Sequence, residues 1–335
     1  MSFSMLRQIS FFLLIFSSVI PVYADESQSA LQPLATQSIV LDMVAKGHTA
    51  IAVGERGHLF RFDNGWQQRS SPTNAHLTKA TLLTELLGWA VGHDATILHT
   101  QDGGQTWQVQ MTSPEIEKPL MDILFFDTQQ GIAIGAYGLF YRTLDGGKNW
   151  QQEFHNELLF EEDNAYLEEL KAEDEALYLS ERSTLLPHFN RVVQIDKQRL
   201  LMVGELGLFA ESSDLGVTWQ RVDFPYEGSL FNVLVAEQGI YVMGLRGHLF
   251  KSQDETATWQ EIKLPIHSTL NGGLVLNNHA VRLVGNAGIV IDVYSDDSVK
   301  IIEQRQGENL VAISIDTEGK QWVAGTKGFV ELKQE

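Results

Sequence analysis

The sequence predicts an all-β chain, a seven-bladed β-propeller with one acidic, partly helical insertion between blades three and four. Three observations carry this. First, a hydrophobic strand-like run enters a Gly-x-x-Gly turn and leaves as a second strand seven times, with turns beginning at Gly54, Gly92, Gly135, Gly204, Gly244, Gly285 and Gly325. Second, the intervals are 38, 43, 69, 40, 41 and 40 residues, and a period near 40 made only of strands marks one propeller blade per repeat. Third, four repeats carry an Asp and a Trp in one register after that turn.

The unit reads strand, loop, strand, Gly-x-x-Gly, strand, tight turn, strand. In blade three the four strands are expected at 121–127, 131–135, 139–143 and 150–154. Alternation along the third puts Leu139 and Tyr141 on one face and Phe140 and Arg142 on the other. Six of the seven turns close with a second Gly, and the other has Ala95. The glycines are expected to supply the positive φ of a tight reversal.

Between the third and fourth strands, residues 100–107, 143–150, 212–219 and 252–259 match the Asp-box, Ser/Thr-x-Asp-x-Gly-x-Thr-Trp. The Asp residues are Asp102, Asp145, Asp214 and Asp254, each ten positions after its repeat's first Gly. The carboxylate is expected to accept backbone N–H groups within the turn. Trp107, Trp150, Trp219 and Trp259 are expected to bury their rings between blades. The fourth box has Thr256 where the others have Gly. These residues read as structural, not catalytic.

The long interval places extra chain at about 155–187. It is rich in Glu161, Glu162, Glu168, Glu169 and Glu173, with leucines interspersed, and reads as one amphipathic helix or two short ones. The last repeat ends with its third strand. Residues 29–35 are therefore expected to serve as the outer strand of blade seven and close the ring, since an unpaired edge would otherwise remain.

Residues 1–24 read as a signal peptide: Arg7, an apolar run at 11–20, and a small-residue cleavage site at Val22, Tyr23 and Ala24. The mature domain would then be residues 25–335. The chain has no cysteine, so a lipid-anchored form and disulfides are not expected, and the core must hold the fold alone. The formal charge is −19 and the pI about 4.9. Such a chain repels phosphate backbones, so nucleic acid is not an expected partner. Periplasm is the expected compartment, with the extracellular medium as the alternative.

The repeats, best seen at 53–60 and 203–209, resemble the photosystem II stability/assembly factor family of seven-bladed propellers with Asp-box (BNR-type) turns. The resemblance spans residues 41–332. It implies an assembly factor that binds a membrane-protein precursor, or, in bacteria that do not photosynthesise, a role beside an envelope exporter. The second kind of member is the one expected, because the chain is acidic where photosynthetic members carry basic patches.

Asp-boxes also occur in sialidases, but the first blade lacks the arginine that opens theirs. His58 and His248 occupy equivalent repeat positions and suggest a shared structural role. No His-x-x-x-His, Gly-x-Ser-x-Gly or phosphate-loop pattern is present. No catalytic residue, cofactor or metal is assigned. The expectation is an exported, non-enzymatic platform that binds a protein partner of the envelope or membrane, with no stable membrane insertion of the mature chain. The alternative is a secreted carbohydrate-active or carbohydrate-binding propeller. Strand direction puts the Gly-x-x-Gly turns and the insertion on one face. Arg56, Arg246 and Lys327 on those turns are expected to cluster opposite the acidic insertion, giving a polarised docking face.

Overall fold

The computed structural model describes residues 30–276 and 280–333. The leader expected over 1–24 lies outside them. Seven antiparallel sheets follow one another along the chain, six of four strands and the last of three. Within each sheet the strands are adjacent in chain order, and are called A to D from the axis outward. Successive A strands pack against one another, and the first packs against the seventh, so the ring is closed. Blade one comprises Val40–Lys46, Thr49–Gly54, Leu59–Phe62 and Trp66–Arg69. Blade three comprises Leu120–Phe125, Gly131–Gly135, Phe140–Thr143 and Gln151–Glu153, each within two residues of its expected place.

The core lies between blades. Leu139 and Tyr141 join Trp89 and Ile97 of blade two, while Phe140 joins Phe189 and Met202 of blade four. Trp89 stacks on Phe125 across the first of these seams. The B strands of blades one to four are buried throughout, which is why they read as near-continuous apolar runs rather than alternating ones.

The two turn glycines have different causes, which corrects the expectation that both supply positive φ. Gly54 is extended, with φ −163°. A side chain there would meet the Ile39 carbonyl oxygen at 2.3 Å from its Cβ, so close approach excludes one. The left-handed residues are Arg56 (φ 54°) and Gly57 (φ 71°). In blade two Ala95 takes the place of the second glycine at φ 46°.

Every A strand shifts register near its start, as between Val40 and Asp42 or Leu310 and Ala312. The shift marks a β-bulge. The bulged residues are Leu41, Thr78, Met121, Asn190, Phe231, Asn271 and Val311. All seven line the axis. Polar stitches between blades alternate between this position and the next. In even blades the bulged side chain donates to a carbonyl of the following blade: Thr78 to Leu120 at 2.6 Å, Asn190 to Leu230 at 2.8 Å and Asn271 to Leu310 at 2.7 Å. In odd blades the next residue makes the bond. Asp42 reaches Lys79 and the Ala80 N–H, Asp122 reaches Arg191 and the Val192 N–H, and Asn232 donates to the Asn271 carbonyl.

Blade seven has Val311 and Ala312 at these positions, so the closing junction is held differently. Trp66, Phe60 and Phe62 of blade one meet Phe329 and Trp322 of blade seven. The expected closing strand at 29–35 is not formed. Ser29 lies outside the described residues, residues 30–34 carry no strand, and Ala35–Gln37 is a 3-10 turn. Pro33 lacks the N–H that a ladder needs there. The segment instead wedges over the seam. Gln32 and Ala30 bond Gln68 of blade one, Ala35 is buried with Phe60 and Phe329, and the Thr36 carbonyl lies over Gly328.

Candidate partner-binding face

Strand direction puts the B-to-C turns and the D-to-A connections on one face and the C-to-D turns on the other. On the latter, Asp102 accepts the Gln105 and Thr106 N–H groups at 3.0 and 2.9 Å and the Thr106 hydroxyl at 2.6 Å. Asp145, Asp214 and Asp254 accept the matching N–H of Asn149, Thr218 and Thr258. At Asp102 and Asp214 burial opposes ionisation, yet these bonds hold the carboxyls below the usual range. Thr256, at φ 84°, occupies the left-handed site that Gly104, Gly147 and Gly216 fill elsewhere. Trp107 and Trp219 are buried against the preceding blade, with Ile51 and with Ile132. Trp150 and Trp259 are less buried and meet Phe125 and Phe209 edge-on.

The insertion rises from the opposite face as two helices, α1 (Glu161–Glu173) and α2 (Glu175–Arg182). Asp174 caps α2 by accepting the Leu177 N–H. Leu158, Leu159, Leu167 and Leu186 are buried in the cluster shared by blades three and four, and Leu170 is buried on α1. The segment is therefore part of the core. Deleting residues 157–181 would remove Leu158, Leu159 and Leu167 from that core. Its root is tied by charge. His155, 5% exposed, lies 3.4 Å from Glu153 and 2.9 Å from Glu157. Burial lowers its proton affinity, but the two carboxylates outweigh that and raise the imidazole above its ordinary value. Glu153 also takes the Arg142 guanidinium, and Glu157 the Trp219 N–H. Arg221 of blade four donates to the Leu158 carbonyl and lies 4.0 Å from the Phe160 ring centre.

Glu161, Glu162, Glu168, Glu169 and Glu173 are all exposed on α1. Arg56, Arg246 and Lys327 are exposed on the turns of blades one, five and seven. These cations share the face but do not form one patch. Blade six, with the uncharged turn Asn286–Gly288, separates Arg246 from Lys327. The expected single positive lobe is thus two separate basic points.

Sequence reading missed the apolar part of the face. Tyr137 (44% exposed) and Leu206 (61%) stand at the turn tips of blades three and four. Phe160, Tyr166, Leu177 and Leu179 of the insertion are also exposed. The signal was available. The third residue of each Gly-x-x-Gly turn is its outward tip, and only the two blades flanking the insertion carry large apolar residues there. Between α2 and blade three lies a cleft of about 450 Å³ lined by Lys118, Tyr137, Glu153, Leu179 and Arg182. Lys118 donates to the Ser183 carbonyl and sits 5.3 Å from the Tyr137 ring centre, and Arg182 covers Phe154.

The axis carries carboxylates, and their partners are all structural. Asp122 (fully buried) accepts Arg191 and the N–H groups of Ile123 and Val192. Asp42 accepts Lys79 and the Ala80 N–H. A sialidase-type site needs three arginines around a substrate carboxylate, and one arginine lines this cavity. Among the described residues no group of three or more His, Asp or Glu is placed to hold a metal ion, and no helix is long and apolar enough to cross a membrane.

No family model matches the sequence. A stretch of 54 residues, 16% of this chain, is 37% identical to the photosystem II assembly protein Ycf48 of Thermosynechococcus vestitus, and the same extent and identity hold for Ycf48 of a Synechococcus strain. Each match spans 16% of that relative's length. A structure of YCF48 bound to D1 peptide aligns over 94% of this chain and 100% of its own, with TM-score 0.65 and 18% identity. The chain has the fold of the Ycf48 propellers. YCF48 from Cyanidioschyzon merolae aligns over 90% of this chain and 97% of its own at TM-score 0.65 and 15% identity. The extracellular domain of a putative one-component system of B. thetaiotaomicron aligns over 92% of this chain and 40% of its own, at TM-score 0.65 and 13% identity.

Proposed function

We propose that the protein is an exported, non-enzymatic propeller that docks a protein partner of the cell envelope, as an assembly factor or as an accessory to an exporter. The docking surface is the Gly-x-x-Gly face. The observation that carries this reading is the insertion. Leu158, Leu159, Leu167 and Leu186 anchor it in the core of blades three and four, with Tyr178 of α2 packed on the same cluster, while its outer side presents acids near exposed Tyr137, Leu206, Tyr166 and Leu179. A charged rim around exposed aromatic and aliphatic groups is the make-up of a protein interface. YCF48, similar in fold, is known bound to D1 peptide. The carboxylates on the axis are consumed in blade-to-blade bonds, which favours a scaffold over a hydrolase.

The test is capture of the native partner from the envelope by folded surface variants. Reversal of Glu161, Glu162, Glu168 and Glu169 to Lys should abolish capture, as should Tyr137→Asp with Leu206→Asp. Arg56→Glu with Arg246→Glu tests the basic points of the same face. Undiminished capture by all three folded variants would reject this face.

A further inference from the structure

We infer that the cavity at the mouth of the propeller axis binds a small monocarboxylate carrying a short apolar tail, a site independent of the docking reading above. The cavity holds about 340 Å³ and takes one bulged residue from each of the seven A strands. Because those residues begin strand A, it opens on the Gly-x-x-Gly face. The alternation of stitches divides its lining in two. The polar residues Thr78, Asn190 and Asn271 are engaged with the carbonyls of the next blade. The odd blades contribute Leu41, Met121, Phe231 and Val311, all partly exposed to the axis. What a ligand meets is thus an apolar wall.

The charges are layered in depth. Two ion pairs reach the cavity, Asp42–Lys79 and Asp122–Arg191. In each pair the acid is the deeper member. The side chain of Asp122 is 1% exposed against 26% for Arg191, and Asp42 is 9% exposed against 19% for Lys79. Lys79 and Arg191 both line the cavity; Asp42 lines it beside Lys79 whereas Asp122 does not, so the positive edge open to a ligand is that of Arg191. Arg191 gives only Nη1 to Asp122, which leaves Nη2 as the donor for an incoming group, while its Nε is buried without a partner. A guanidinium with donors left over beside an apolar wall suits a carboxylate joined to a hydrocarbon. The two pairs sum to zero charge, so one added negative charge is accommodated more readily than two. The volume lies at the low end of the roughly 300–1,000 Å³ typical of small-molecule sites, which limits the tail to a short one.

Isocaproate serves as the probe, titrated into the full-length mature protein by calorimetry. One saturable site per chain is expected. Isocaproamide, which keeps the tail and loses the charge, should bind about ten- to hundredfold more weakly, as befits loss of charge-assisted hydrogen bonds. The double variant Asp122→Asn/Arg191→Gln removes the ion pair without leaving a lone buried charge, and should show the same loss. Phe231→Ala touches no ion pair and should weaken isocaproate on its own, which keeps the test decisive if the double variant does not fold. Equal affinity for acid and amide, no saturable binding, or wild-type binding by both variants would overturn the inference. Tighter binding of the tripeptide Ala-Ala-Leu with a free carboxylate would also overturn it, in favour of a protein chain end. Neither result bears on whether the variants of the docking face capture a partner.

Discussion

Trp66 of blade one lies flat against Phe329 of blade seven, their ring centres 4.4 Å apart and their planes 7° from parallel. This contact stands at the one junction where the residues that stitch other blades are Val311 and Ala312. The alternating pattern of polar bonds requires an even number of junctions to repeat, and seven is odd. Aromatic packing takes over where the pattern ends.

Phe329→Ala should therefore loosen this seam selectively. A large-to-small change at a packed aromatic costs about 3–5 kcal/mol, and the half-buried position of Phe329 puts it toward the lower end. Hydrogen exchange should rise first in Val40–Lys46 and Leu310–Ile315. Uniform acceleration in all seven A strands would show that the seam is not the weak point. Removing residues 25–36 should act at the same place, through loss of the wedge over Gly328, and lower the melting temperature.

The Trp residues of the C-to-D turns should divide into two classes in urea unfolding. Trp107 and Trp219 are 7% and 5% exposed and wedge against the preceding blade. Their Ala variants should lose about 3–5 kcal/mol each. Trp150 and Trp259 are only partly buried, so their variants should lose less. Equal losses at all four would mean that burial against the neighbouring blade is not what the Trp contributes.

The root of the insertion should respond to pH. The imidazole of His155 is raised above its ordinary 6.5, and Glu153 and Glu157 are held below their ordinary 4.5 against the cost of burial. A raised base stabilises fully below 6.5 and loses that contribution as pH climbs through its folded value. Depressed acids stabilise above 4.5 and lose it as pH falls through theirs. The tether is strongest between these limits. Protection of α1 and α2 amides should fall toward alkaline pH in the wild type, after correction for intrinsic exchange. His155→Gln should flatten that dependence. A wild-type profile indistinguishable from the variant's would remove His155 from the tether.

The blades were legible because two chemical constraints recur in every one. The first Gly of each turn faces a carbonyl that leaves no room for a Cβ, and the second takes a left-handed backbone, so both leave a mark at a period near 40. The insertion was legible from its length and acidity. The closure was not. Counting strands implied a missing outer strand at 29–35, but Pro33 weakens that ladder and the segment lies across the seam instead. The axial lining was also hidden. Which residue of strand A faces the axis depends on a bulge after Val40, Leu77 or Leu120, and nothing in those sequences announces it. Tyr137 and Leu206 were readable as turn tips, but charge drew the eye to Arg56 and Arg246, which lie in blades that do not adjoin.

The face assigned to docking is tested most directly by photocrosslinking in the native envelope. A photoreactive residue replaces Tyr137 or Leu206 on one face, and Leu144 or Val217 on the other; all four side chains are exposed in the free protein. Crosslinks to a single envelope protein are expected from Tyr137 and Leu206 and not from Leu144 or Val217. The same adduct from Leu144 and Val217, with none from Tyr137 and Leu206, would contradict the assignment.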